Sequence, residues 1–439
     1  MSYQPQPQVK RGIDWSPLWK QEDWWSVWFG FILIILAIAG VITKLPSFGK
    51  WTSLGQAVPP EAWIRLIALL IGLGILNAIG VAAMGQSAAR FLVAFPVLFI
   101  LAIIAQILGN HVIAKDYNLE VPLWALVVGL LISNTVRTPE WLKPAVRTEM
   151  YIKTGLVLLG CEILFGRIVA LGLPGIMVGW IVPPLVIIFM YWFGVKVLKM
   201  EPEFALTLGT ATSVCGVSAA IATGAACGAK KEEVSVAITI SLLFTVLMLV
   251  LMPAFIMVAK MDIDVGAAWI GGTIDSTGAV VAAGALLGQR GMEIASVVKM
   301  IQNVLIGVVA FVTALIWVYR KGGATEGVEA ASAKEIWVRF PKFVLGFVGA
   351  SLLFSFILIP SMGEEAVNGF TKITSGLRGW FFALAFISIG LESNIRDLAR
   401  QVKGGKPVVH YIVGQTANLV LTLIMAWLAF GGILFPKTF

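Results

Sequence analysis

The sequence predicts an all-α polytopic membrane protein with about 11–13 transmembrane segments, two of them discontinuous or re-entrant. Three observations carry that prediction. Only 13% of the 439 residues are charged while 59% are hydrophobic, and the mean hydropathy is +0.91; soluble domains carry about 25% charge. Apolar runs of bilayer length recur from end to end. Two further runs of the right length have the wrong composition for a lipid-facing helix, being dense in glycine and hydroxyls. The length alone allows about three soluble domains, but so few polar side chains cannot cover three water-facing surfaces.

Spans of roughly 17–25 apolar residues are expected at 24–43, 62–83, 91–108, 121–134, 150–166, 174–195, 203–227, 234–259, 266–288, 294–319, 342–360, 377–392 and 409–432. Around them lie an amphipathic N-terminal tail (1–23), a transmembrane transporter domain (24–432) containing a charged linker (320–341), and a C-terminal tail (433–439). Trp15, Trp19, Trp24, Trp25 and Trp28 surround the start of the first span, as expected for rings that favour the headgroup zone. Met1 to Asp23 is polar, without a secretory signal pattern.

Lys and Arg set the orientation. A cytoplasmic N-terminus puts Arg137, Lys143, Arg147, Lys196, Lys199, Arg320, Lys321, Arg339, Arg396, Arg400, Lys403 and Lys406 inside, with Lys230 and Lys231 the main exception. An N-terminus inside and a C-terminus outside is the expectation.

The same residues exclude other classes. Cys161, Cys215 and Cys227 lie in apolar or glycine-rich runs, which argues against a disulfide framework or a CxxC metal site. His111 and His410 are too few for a zinc or haem centre. The net charge of +8 sits in short loops beside the spans, where it orients the chain rather than binding nucleic acid. No HExxH, GxSxG or paired intramembrane histidines occur, and Cys215 has no neighbouring base, so an enzyme is not expected.

The two unusual stretches are LGTATSVCGVSAAIATGAACGAKK, from Leu208 to Lys231, and WIGGTIDSTGAVVAAGALLG, from Trp269 to Gly288. Glycine weakens regular helix and lets backbone approach a ligand, and unwound backbone at membrane depth is tolerated only inside protein or along a wet cavity. Half-helix N-termini then offer N–H groups and a positive dipole end to an anion. Such paired interruptions mark a carrier's midplane site; tight helix packing through small residues is the plainer alternative. Asp275 is the only formal charge between Asp264 and Arg290. An acid at the bilayer centre costs roughly 3 kcal/mol on insertion scales, so it needs a partner, a proton or a coupling ion. Lys299, Gln302 and Asn303 share one helix face; Lys299 is placed to neutralise Asp275, meet an anion, or snorkel to the surface.

A faint inverted repeat pairs Leu159-Gly160-Cys161-Glu162 with Ile389-Gly390-Leu391-Glu392, in spans of opposite direction. Glu162 and Glu392 are expected near helix ends, paired with loop arginines.

Several of these motifs carry a family resemblance. LGTATSVCGVSAAIATGAA with KKEEVSVAITISLLFT, then GGTIDSTGAVVAAGALLG, IASVVKM, ISNT and AFISIGLESNI, together resemble the YeiH-type sulfate exporter family over roughly residues 65–435. The resemblance implies a bacterial inner-membrane carrier of sulfate or related small anions. It also implies kinship with the sodium/proton antiporter and bile-acid symporter superfamily, where a mobile core with inverted repeats moves against a panel. That family's second motif has a His-acid pair and a later Gln where this chain has Asp275, Ser276 and Ala279, which removes oxyanion donors and favours cation coupling. The Trp-rich first span is a second departure.

The leading expectation is a secondary active carrier of a small inorganic or organic anion, coupled to H+ or Na+ and otherwise without a cofactor. Thr210, Thr212, Ser213, Cys215, Gly216 and Ser218 face Thr273, Ser276 and Thr277 across the substrate, with Lys299 and Asn303 beside it and Asp275 holding the coupling ion. The alternative is a cation/proton antiporter with no anion substrate. The partners expected are the solute and the lipid bilayer, with a homodimer left open.

Overall fold

The computed structural model describes residues 15–116, 121–320, 334–401 and 405–436. Most of the N-terminal tail, most of the 320–341 linker and the last three residues lie outside them. The chain is a bundle of helices, and among the described residues no strand forms, apart from one isolated bridge between Trp51 and His111.

Fifteen helices concern us: α1 (Glu22–Ile38), α2 (Ala62–Ala83), α3 (Ala88–Gly109), α4 (Val121–Thr135), α5 (Thr148–Leu159), α6 (Phe165–Val197), α7 (Pro202–Ser213), α8 (Ser218–Cys227), α9 (Lys231–Val258), α10 (Ile263–Thr273), α11 (Thr277–Ala285), α12 (Gly288–Arg320), α13 (Lys342–Met362), α14 (Glu364–Glu392) and α15 (Lys406–Phe430). Eight of them (α2, α3, α6, α9, α12, α13, α14 and α15) are long and apolar enough to cross a bilayer. The patterning follows from what each face meets. In α2, Ile64, Ile67, Ile71, Ile75 and Ile79 point outward at spacings of three and four, while Leu66, Leu69 and Leu73 point inward. In α3 the inward face is Phe91, Phe95 and Phe99, and Phe99 stacks on Trp380 at 4.9 Å.

The expected span 150–166 is shorter than its apolar run. Helix α5 stops at Leu159, and Gly160 turns the chain against the carbonyl of Phe347, where a Cβ would not fit. Helices α4, α5 and α14 pack closely, with Gly129 and Gly390 bringing two backbones together and Ser133 Oγ donating to Gly390 O at 2.8 Å.

The two glycine- and hydroxyl-rich stretches are not crossings. Each is a helical hairpin that leaves on the side where it started. In the first, α8 returns along α7, so that Cys227 Sγ lies 3.8 Å from Thr207 Oγ1 and from Glu203 O. Its base sits at the C-terminal end of α12, where Trp317 Nε1 donates to Glu203 Oε1 at 3.2 Å. In the second, α10 and α11 start and end beside the first turn of α12, where Arg290 forms a two-point bond to Asp264, 2.5 Å on each oxygen. The bases thus lie at opposite ends of α12, and the tips meet midway: Gly216 N donates to Asp275 O at 3.0 Å. Gly216 is required there, since a Cβ would run into the Ser241 side chain.

The face bearing Asp23, Thr148, Lys342 and Glu392 is called basal below, and the other distal. Because the α7–α8 hairpin returns, Lys230 and Lys231 lie on the basal face with Lys199. The loop at Lys260 is then distal. Single cysteines at 199 and 230 in a cysteine-free background are expected to react with an impermeant maleimide from one side of the membrane, and one at 260 from the other; a 199 that labels with 260, opposite 230, contradicts the hairpin.

Candidate functional site

Both hairpins bring a helix C-terminus and a helix N-terminus to the same point inside the bundle. Helix ends leave backbone groups without intrahelical partners, and each is equivalent to about half a charge, negative at C-termini and positive at N-termini. Each of these ends needs a partner.

The C-termini are capped from α12 and α15. The Lys299 ammonium donates to Val214 O at 2.8 Å, Ile274 O at 2.8 Å and Gln302 Oε1 at 2.6 Å. Gln302 Nε2 in turn donates to Ser213 O at 3.0 Å and Gly272 O at 2.9 Å. Lys299 and Gln302 therefore each bridge both hairpins, as residues three apart on one helix face allow. From α15, Asn418 Nδ2 donates to Thr212 O at 3.2 Å and Gln415 Nε2 to Thr273 O at 3.2 Å. Lys299 is 1% exposed, so it does not snorkel. Its three donors are taken by two carbonyls and an amide oxygen rather than by Asp275.

Asp275 sits between two extended residues, Ile274 (ψ 131°) and Ser276 (ψ 132°), in the break of the second hairpin. Its Oδ2 accepts from Ser241 Oγ at 2.7 Å and from Tyr411 Oη at 2.5 Å; its Oδ1 is buried without a partner. Asn303 Nδ2 donates to Thr277 Oγ1 at 2.9 Å, leaving Asn303 Oδ1 likewise unpartnered. Asp275 adjoins the first turns of α8 and α11, so its charge faces two positive helix ends as that of Lys299 faces two negative ones.

A cavity of about 200 Å³ runs from the tips toward the basal face. Cys215, Gly216, Ser218, Asp275, Ser276, Thr277 and Asn303 line its inner end, and Asp23, Glu149, Lys153 and Arg339 its outer end. It adjoins a second cavity of about 430 Å³ with Glu22, Arg147 and Glu392 on its walls. Lys153 ties the vestibule together, 2.7 Å from Asp23 and 3.3 Å from Glu149. The distal side of α12 is held by side chains instead. Arg378 Nε and Nη2 donate to Glu162 at 2.6 and 2.9 Å, Gln289 Nε2 donates to Glu293 Oε1 at 2.9 Å, and Arg167 pairs with Glu293 at 3.4 Å. The two G-x-E motifs thus differ from expectation: Glu162 pairs with the helix residue Arg378, and Glu392 accepts from Thr148 Oγ1 at 2.8 Å. No group of three or more His, Cys, Asp and Glu side chains placed to hold a metal occurs among the described residues.

Of the residues singled out in the sequence, Cys215, Gly216, Ser218, Asp275, Ser276, Thr277 and Asn303 share the cavity wall. Thr210, Thr212 and Ser213 instead turn their hydroxyls back to Thr207 O, Leu208 O and Gly209 O of their own helix, and Thr273 Oγ1 is buried without a partner. Sequence reasoning missed Ser241 and Tyr411, which hold Asp275, and Gln415 and Asn418, which cap the tips. The signal for the latter pair was there: two amides three residues apart in an otherwise apolar helix, GQTANLV.

Helical hairpins buried tip to tip in a bundle of bilayer-length helices define a polytopic membrane protein with an internal polar site. The family profile described as conserved hypothetical protein 698 matches residues 93–410. A UPF0324 membrane protein of Rhodopirellula baltica is 53% identical over 386 residues, covering 87% of this chain and 71% of that protein. One from Nitratidesulfovibrio vulgaris is 50% identical over 380 residues, covering 84% of this chain and 64% of that protein. A more distant one from Nitrosomonas europaea is 27% identical over 96% of this chain and 98% of its own length. The chain belongs to this family of membrane proteins. No solved structure matches it.

Removing a charge that caps buried groups leaves those groups unpaired. Lys299→Met is expected to cost about 3–5 kcal/mol, and Gln302→Leu about 1–3 kcal/mol, in denaturant or thermal unfolding of the detergent-purified protein. A Lys299→Met protein as stable as the parent contradicts the capping role.

Proposed function

We propose that this protein is a secondary active carrier of a small sulfate- or sulfonate-like anion, moved by alternating access and coupled to H+ or Na+. One observation carries the reading: two half-helix N-termini and one buried carboxylate with a free oxygen converge on a cavity that reaches one face. The N-terminal turns at Ser218 and Thr277 supply N–H donors and dipole charge to an oxyanion. Asp275 already opposes that positive charge, so an anion at the same place is repelled until the carboxylate is neutralised. A proton or Na+ on Asp275 Oδ1 removes the repulsion, and binding of anion and cation becomes mutually dependent. Coupling free energy of this kind is reciprocal.

Two hairpins entering from opposite faces are what an inverted repeat produces. The hairpins, with α12, form the moving unit, and α4, α5, α13 and α14 the panel. The ion pairs around Arg378 keep the distal side shut while the basal cavity is open. Basal placement of Arg137, Lys143, Arg147, Lys199, Lys230, Lys231 and Arg339 supports a cytoplasmic basal face in a bacterial inner membrane. The resemblance to the sulfate exporters supports the anion class.

The unpartnered acceptors Asp275 Oδ1 and Asn303 Oδ1 also favour a second reading, a cation/proton antiporter that uses the same carboxylate without an anion. Proteoliposomes separate the two. In the carrier, Asp275→Asn retains anion binding, read as a thermal shift, but loses the pH and Na+ dependence of uptake. Wild-type pH and Na+ dependence in Asp275→Asn makes Asp275 structural. Proton movement on a sodium pulse, with no uptake of sulfate, sulfite, sulfonate or carboxylate, establishes the antiporter instead.

A further inference from the structure

A crevice of about 450 Å³ lies far from the hairpins, between α1, α2 and the 41–46 segment, on the distal half of the bundle. Its walls are apolar, with Leu36 of α1, Leu73 of α2 and Leu377 of α14 among them. Val41, Ile75 and Ile79 on its rim are 68%, 53% and 54% exposed, so it opens sideways, toward where acyl chains lie. Its floor is open beside Gly72, where an added Cβ would meet nothing within 4 Å.

Two of the wall residues are charged, Lys44 and Arg65, and both are cations. No acid lines the crevice, and among the described residues neither cation has an ion pair or side-chain hydrogen bond. Arg65 is half-buried one turn into α2, and Lys44 is exposed in the segment facing it. Both sit at the distal end of the crevice. From Arg65 to Ile79 the helix rises about 21 Å, enough to span one leaflet of a hydrocarbon core about 30 Å thick.

We propose that this crevice binds an anionic phospholipid, its phosphate between Lys44 and Arg65 and one acyl chain along Leu36, Leu73 and Gly72. Charge complementarity selects the occupant. A zwitterionic lipid supplies the chain but adds a cation beside two others. A second copy of this chain docked symmetrically brings like charges together. Cations close to a membrane surface favour acidic lipid.

The test is lipid retention by the purified full-length protein, followed by native mass spectrometry with phosphatidylglycerol and phosphatidylcholine of equal chain length. The wild type is expected to hold phosphatidylglycerol about tenfold more strongly. The Lys44→Gln/Arg65→Gln double variant should lose that preference. Gly72→Leu, which fills the floor while leaving both charges, should lose the bound lipid of either kind. Thermal melts confirm that each variant is folded. Equal retention of the two lipids by the wild type overturns the proposal, as does a loss in only one of the two variants. Glycerol phosphate matching the stabilisation by phosphatidylglycerol also overturns it, because the site then takes a free anion. Anion transport plays no part in this measurement.

Discussion

One ammonium group holds the centre of this protein together. Lys299 lies where two helices stop inside the bundle, and it donates a hydrogen bond to the last carbonyl region of each. Without it the two C-termini would point like partial charges at each other in a medium that screens poorly. Gln302, one turn further along the same helix, repeats the bridge with a neutral amide. The breaks in α7–α8 and α10–α11 are tolerated because α12 runs past both and satisfies what they leave bare.

That arrangement separates the electrostatics into two layers. The carbonyl ends and Lys299 form a closed layer in which all three ammonium donors are used. The amide ends and Asp275 form an open layer on a cavity wall, where two side-chain oxygens still lack a donor. Rigidity belongs to the first; the second is the layer on which the proposed carrier function rests. A buried charge that is fully hydrogen-bonded specifies a geometry; one left half-satisfied invites a ligand.

Much of this was legible in the residues. Helical class, membrane embedding and the two odd stretches follow from composition and periodicity, since an acid among glycines and hydroxyls has few structural uses in lipid. The reversal within each stretch was not legible. Two half-helices of 12 and 10 residues have the composition and summed length of one crossing, and nothing in their side chains records a change of direction. The exception in the charge pattern, Lys230 and Lys231, was the trace it left, because a returning hairpin puts both lysines back among the others. The role of Lys299 was hidden for a different reason. Its partners are main-chain carbonyls, which carry no residue code, so spacing put Lys299 and Gln302 on one face without showing what that face meets. Ser241 and Tyr411 were missed because they come from α9 and α15, distant in sequence and ordinary in local pattern.

The order of the helices along the chain has a consequence for synthesis. Both hairpins precede α12, and the amides of α15 come later still. A polypeptide leaving the ribosome therefore exposes two tips whose carbonyl ends still lack the side chains that cap them. Their residence in the bilayer has to wait for the next long segment to arrive, which makes Lys299 a late keystone in assembly as well as the fixed point of the finished bundle.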